Sequence, residues 1–118
     1  MTGAWLWLAA AMMTATAFVH AILGERRLIG PLIASQTGVL ERPLARQVTR
    51  FAWHLTSALM LLNAATMVWP GTPRAIVVMT GAVWLAVGLF DAVLTRGRHV
   101  GWPALSASGL FAIAGGLS

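Results

Sequence analysis

Four long apolar runs divide the chain and constrain its fold more than any other feature. They cover residues 4–23, 51–69, 75–94 and 103–117. A helix needs about 20 residues to cross roughly 30 Å of bilayer hydrocarbon, and the first three runs meet that length. The fourth is shorter and rich in Gly and Ser, so we expect it to sit upright or lean on its neighbours. Because the runs are continuously apolar rather than alternating, they predict helices and not barrel strands.

The composition indicates the same class of protein. Of the 118 residues, 58% are hydrophobic and only 9% are charged, which excludes an ordinary soluble domain. We therefore predict a single transmembrane domain over residues 1–118. The chain has no Cys, which excludes disulfides, thiolate metal sites and a catalytic thiol. No basic segment precedes the first run, so we interpret that run as a retained helix rather than a cleaved signal peptide.

The distribution of Arg predicts the orientation in the membrane. All 8 basic residues are Arg, and all but one of them lie in the connections 24–50 and 95–101. The positive-inside rule places these two connections in the cytoplasm and both termini outside. The prediction is an all-α, up-down-up-down four-helix bundle in the bacterial inner (cytoplasmic) membrane. Since the Arg lie between apolar runs, the +5 charge indicates contact with anionic lipid headgroups rather than nucleic acid.

Proline positions predict where the helices begin and end. Pro43 fits the start of a helix that continues into the second run, and Pro103 suits the first turn of the last helix. Gly30-Pro31 is expected to break the first cytoplasmic connection and to leave residues 32–40 as an interfacial or loop segment.

Two histidines lie where adjacent antiparallel helices meet the same membrane boundary. His20 is in the last turn of the first run and His54 in the first turn of the second. Neutral imidazoles on facing helices are suited to bind haem b or a divalent metal. The alternative is an interface residue that is hydrogen-bonded to backbone or headgroup, and the absence of a third ligand at metal-site spacing favours it. His99 is expected to be a solvated loop residue.

A carboxylate in the last turn of the third run requires a partner. Asp91 lies close to the apolar zone, where an unpaired charge is costly. We expect it to pair with Arg50, His20 or His54, in a structural polar cluster that also includes Glu25. The alternative roles are a proton relay or ligand binding. No acidic residue lies near mid-membrane, which disfavours proton-coupled transport.

Basic residues recur every four positions where the second run begins. Arg42, Arg46, Arg50 and His54 would form one stripe on a helix. A face that contacts lipid phosphates is the simpler interpretation, and an edge that binds an anion or a partner protein is the alternative.

Small residues at helical spacing predict close helix contacts. Gly81 and Gly88 lie on a stripe with Trp84 and Asp91, and the last run carries such residues at an interval of four: Ala104, Ser108, Ala112 and Gly116. The small-residue face of the last run is expected to pack within the bundle or to contact another subunit. Asn63 is expected to bond to another helix or to contact a substrate.

The segments His20–Arg26 and Arg50–Thr56 resemble those of small bacterial four-span membrane proteins that have no assigned activity. Their shared pattern is H-x4-E-R and R-F-A-W-H-L-T. The resemblance covers mainly the first two runs. It implies a compact four-helix membrane domain and emphasises His20, Glu25, Arg50 and His54, but it implies no activity.

The sequence favours an interaction protein over three other functional classes. A small accessory subunit that packs against a larger membrane complex or against itself accounts for the short connections and the small-residue face. A haem or metal protein using His20 and His54, and a transporter or channel with a path to Asn63 or Trp84, remain alternatives. An enzyme is disfavoured, because no nucleophile–base set or carboxylate pair converges by spacing.

Overall fold

The computed structural model describes residues 2–118, and helices account for nearly all of them. The helices are α1 (Thr2–Gly24), α2 (Gly30–Ser35), α3 (Pro43–Val68), α4 (Arg74–Leu94) and α5 (Gly101–Leu117). A π-helical turn, Glu25–Ile29, joins α1 to α2, and a 3-10 turn, Gly38–Glu41, precedes α3. The predicted all-α class is confirmed. Met1, the first residue of the predicted domain, lies outside the described residues.

Prolines set several of the helix boundaries. Pro43 is the first residue of α3, where its missing N–H would have no helical acceptor in any case. Trp69 precedes Pro70 and has the extended backbone (φ −69°, ψ 125°) that is favoured before a proline, so α3 ends at Val68. Pro103 lies in the first turn of α5. These boundaries agree with the prediction from sequence.

The predicted break at Gly30-Pro31 is wrong, because the chain remains helical from Gly3 to Ser35. Inside a helix, proline donates no hydrogen bond and clashes with the carbonyl four residues earlier. Here the wider π turn comes directly before it, and the Gly30 N–H donates to the Glu25 carbonyl five residues earlier. The turn shifts the hydrogen-bond register, so the helix continues through α2 to the left-handed Gln36.

The four long helices pack in the order α3–α1–α5–α4, which differs from their order in the chain. The contacting pairs are antiparallel: Gly24 of α1 lies against Trp53 of α3, and Gly115 of α5 lies against Leu6 of α1. Helices α3 and α4 are consecutive, yet they make little contact along their length. A seam therefore remains open between them.

The core lies where α1 and α5 meet their neighbours, and small residues allow the helices to approach closely. Its buried members are Ala9, Ala10, Met13, Ala64, Met67, Val77, Trp84 and Ala112. A Cβ added at Gly81 would come within 2.9 Å of the Cβ of Ala112. Three members of the predicted small-residue face of α5 are buried: Ser108, Ala112 and Gly116. That face is therefore used for packing inside the bundle, and only Ala104 of the set is half-buried.

Three helical stretches are long and apolar enough to cross a membrane. They are Gly3–Ser35, Pro43–Val68 and Arg74–Leu94. Helix α5, with 17 residues, is shorter than these. Three of the four predicted spans thus have the expected length and composition.

Candidate functional site

The segments His20–Arg26 and Arg50–Thr56 meet at one end of the bundle, where α1 packs on α3. We call this the α1–α3 polar cluster: His20, Glu25, Arg50, Trp53, His54 and Ser57. Its α3 members recur at intervals of three and four, so they share one face of that helix. Because the two helices are antiparallel, this face meets the last turns of α1.

Glu25 is the centre of the charged half of the cluster. Arg50 Nε donates to Glu25 Oε1 at 2.7 Å, and Arg50 Nη2 donates to Oε2 at 3.3 Å. His54 Nε2 lies 3.1 Å from the same Oε1 and donates to it in the tautomer that carries its proton there. Two hydrogen bonds from one guanidinium to one carboxylate fix the relative orientation of the two side chains as well as their separation. The side chains of Arg50 and Glu25 are 50% and 31% exposed, so the pair orients the helices more than it stabilises them.

His20 forms the less polar half, one turn earlier on α1. Its Nδ1 lies 2.7 Å from the hydroxyl oxygen of the buried Ser57. Its ring is stacked on the indole of Trp53, with centroids 4.0 Å apart and planes 9° from parallel. The Trp53 Nε1–H donates to the His20 carbonyl at 2.8 Å. The imidazole is therefore held on one face and at one nitrogen.

The indole of Trp53 occupies a position that depends on glycine. A Cβ added at Gly24 would lie 2.5 Å from the Cε2 and Cζ2 atoms of that ring. Real side chains do not approach so closely, so Gly24 allows the indole to lie on the α1 backbone. Gly24 is thus a necessary neighbour of the polar cluster.

The predicted pairing of Asp91 with Arg50, His20 or His54 is wrong. Asp91 Oδ2 lies 2.5 Å from His99 Nδ1 instead. Two features explain the difference. The chain reverses just after α4 through the left-handed residues Arg96 and Gly97, which brings His99 back over the helix end. In addition, α4 packs on α5 and makes little contact with α3, which carries Arg50 and His54.

The predicted basic stripe is divided by the structure. Arg42 precedes the first residue of α3 and lies outside the helix. Arg46 Nη1 donates to the carbonyls of Leu40 and Glu41, both at 2.9 Å. Only Arg50 and His54 reach the Glu25 carboxylate. The residues of the stripe therefore make two separate sets of contacts. Arg46 binds the turn before α3, and Arg50 and His54 connect α3 to α1.

The cluster has only part of what a metal or haem site requires. Across residues 2–118, no group of three or more His, Cys, Asp or Glu side chains could hold a metal ion. A two-histidine site would have to use Nε2 of His20 and Nδ1 of His54, because their other nitrogens contact Ser57 and Glu25. Cofactor binding therefore stays a prediction.

A second polar contact lies in the seam between α3 and α4. Trp84 Nε1 donates to Asn63 Oδ1 at 2.8 Å, which agrees with the expectation that Asn63 bonds to another helix. Grooves of about 240 and 160 Å³ flank this bond. Thr80 lines one of them and Thr56 the other. The seam is therefore open on both sides of one interhelical hydrogen bond.

Sequence reasoning missed Trp53, Ser57 and Gly24 as parts of the site. One signal was present: His20 and Gly24 on α1 have the same i, i+4 spacing as Trp53 and Ser57 on α3. Because residues four apart share one face of a helix, each pair lies on a single face of α1 or α3.

No protein-family model, curated protein or solved structure matches this chain.

Proposed function

We propose that this chain is a small integral membrane interaction subunit whose α3–α4 seam receives a transmembrane helix of a partner. The partner is a larger membrane complex or a second copy of the chain. In this proposal α5 is the fourth crossing, the Arg-rich connections are cytoplasmic and the membrane is the bacterial inner membrane. The chain then belongs with the small four-span proteins that its first two runs resemble.

The observation that carries the proposal is the open seam. Asn63 Oδ1 accepts from Trp84, which directs the Asn63 amide nitrogen elsewhere. That nitrogen carries two N–H donors and has no protein acceptor among the residues the structure describes. Hydrocarbon supplies no acceptor, so an amide at this depth is stabilised when a neighbouring helix provides one. A partner helix with a hydrogen-bond acceptor in the seam would meet that need.

The α1–α3 polar cluster supports the same interpretation. Its carboxylate, guanidinium and imidazole groups contact one another across two helices. They hold α1 and α3 in one register and leave the seam side of α3 for another partner. The arrangement is suited to a rigid packing unit rather than to bond-making chemistry.

Site-specific photocrosslinking in native membranes tests the proposal. A photoreactive amino acid replaces Val83, which lines both seam grooves, or Phe18 on α1 as the control; the two are 60% and 54% exposed. We expect a discrete protein adduct from position 83 and none from position 18. Asn63→Leu should weaken the adduct about fivefold, the worth of one interhelical hydrogen bond. The adduct mass distinguishes a second copy of 12.5 kDa from a larger partner.

Lipid adducts alone at position 83, or equal protein adducts at both positions, would contradict the proposal.

The two alternative functions, a haem protein and a transporter, are tested by other measurements. A Soret band lost on His20→Ala supports a haem protein, and water-accessible labelling at Asn63 supports a transporter.

A further inference from the structure

A groove at the arginine-bearing end adjoins the α1–α3 polar cluster through Arg50 and shares no lining residue with the seam grooves. It has a volume of about 450 Å³ and lies between α2 and the first turns of α3, lined by Ile33, Pro43, Arg46, Gln47, Arg50 and Phe51. The connection after α2 makes this shape: Gln36 and Gly38 both have left-handed backbones, with φ of 49° and 59°. The chain therefore turns back and sets α3 beside α2 with a gap between them.

The groove combines an apolar floor with a positively charged rim. Ile33, Pro43 and Phe51 supply the apolar side chains. Arg46 supplies the charge: two backbone carbonyls fix its Nη1, and no carboxylate of residues 2–118 lies within salt-bridge distance of it. Arg50 differs, because Glu25 compensates its charge. The rim thus carries the Arg46 guanidinium, which is held in place and has no carboxylate partner, with the Gln47 amide beside it.

This pattern matches one class of ligand, a phospholipid with a net negative charge. A phosphate group accepts from a guanidinium, and Arg46 keeps the N–H donors of Nε and Nη2 beyond those that Nη1 uses on the two carbonyls. Phe51 begins the apolar run of α3, so the groove lies at the level where headgroup and acyl chain meet. Free phosphate would leave the apolar floor uncovered, and a lipid without net charge would leave the guanidinium uncompensated. Basic pockets between membrane helices bind anionic headgroups in this way.

We propose that the groove between α2 and α3 is a binding site for an anionic phospholipid, with its phosphate on Arg46 and an acyl chain along Ile33 and Phe51. The site is separate from the seam proposed for the partner helix, because the seam grooves are lined by α3 residues from Thr56 to Asn63 and this groove by α3 residues from Pro43 to Phe51.

Native mass spectrometry of the full chain with phosphatidylglycerol or phosphatidylcholine tests this site. The wild type should bind phosphatidylglycerol in preference, and excess inorganic phosphate should not displace it. Arg46→Gln should lower that affinity at least about fivefold, the effect of one basic residue at an anionic surface. The matched control, Arg98→Gln, removes the same charge from the same end outside the groove and should change the affinity less than about twofold.

A second variant separates binding from folding. Arg46→Gln also removes the bonds to Leu40 and Glu41, whereas Gln47→Glu adds a negative charge to the rim and leaves those bonds in place. We expect Gln47→Glu to weaken phosphatidylglycerol binding to a similar degree. The proposal is overturned if Arg98→Gln weakens binding as much as Arg46→Gln, if Gln47→Glu has no effect, or if phosphate competes.

Discussion

The indole of Trp53 links three parts of α1 through a single side chain. It stacks on the His20 ring, donates to the His20 carbonyl and lies on the backbone at Gly24. The aromatic stack buries apolar area, and the N–H bond fixes the rotation of the ring. The contact sets the angle at which α3 meets α1, and with it the positions of Arg50 and His54 relative to Glu25.

Trp53→Phe should therefore destabilise the fold more than the same change at a surface tryptophan. The variant keeps an aromatic ring but loses the hydrogen bond, so we expect a loss of about 1 kcal/mol in the free energy of unfolding. Trp7→Phe is the control, since Trp7 is exposed near the other end of α1. Reversible unfolding in detergent micelles measures both. Equal effects at the two positions would show that the Trp53 bond contributes nothing specific.

At the scale of elements, the contact between α4 and α5 depends on the absence of side chains. A Cβ at Gly88 would lie 2.7 Å from the backbone nitrogen of Ser106 and 3.1 Å from the Cβ of Leu105. The Ser106 hydroxyl is buried here without a hydrogen-bond partner within residues 2–118. Close packing and not polar bonding thus holds these two helices together, as is usual where small residues meet in membranes.

Gly88→Ala should separate α4 from α5 and destabilise the bundle by about 1–3 kcal/mol, the usual range for overpacking. Gly3→Ala is the matched control, because a Cβ at Gly3 meets nothing within 4 Å. Unfolding in detergent measures both variants. Ser106→Ala in the Gly88→Ala background should recover part of the loss, since it removes the hydroxyl nearest to the new methyl group. If Gly88→Ala is as stable as Gly3→Ala, the two helices do not pack as closely as described.

At the scale of the whole molecule, titratable groups collect at one end of the bundle, and the other end holds the C-terminus. Glu25, Arg50, Asp91 and His99 all lie at the end of the bundle where the C-terminal parts of α1 and α4 meet the N-terminal part of α3 and the connection to α5. At the other end, Arg74 Nη2 donates to the Ser118 carbonyl at 3.1 Å, beside the connection between α3 and α4. This polarity is the basis for the four-crossing arrangement that we propose.

Cysteine labelling with a membrane-impermeant maleimide tests that arrangement, and the chain has no Cys of its own. Single substitutions at Ser35 and Arg98 should react from one side of the membrane only. Substitutions at Thr72 and Ser118 should react from the opposite side only. Reaction of the Ser118 variant from the same side as the Arg98 variant would show that α5 does not cross.

The sequence predicted the helices and several of their ends because these depend on local chemistry. Continuous apolar runs favour helices in a membrane, and proline acts on its nearest turns, as at Pro43 and Pro103. Glu25 and Arg50 were expected in one polar cluster for a similar reason, since they flank the ends of consecutive helices. The π turn before Pro31 was missed because a shift of the backbone hydrogen bonds by one residue does not change the hydropathy pattern of the sequence.

Which side chains on different helices contact one another was decided only by the tertiary structure. Asp91 binds His99 because α4 packs on α5 and lies away from the face of α3 that carries Arg50. Trp53 meets His20 because Gly24 allows the helices to approach closely there. Hydropathy fixes which segments are helical, but the order and rotation of four apolar helices depend on how small and large side chains fit together. The packing of these side chains therefore determined which polar groups lie within hydrogen-bonding distance of each other.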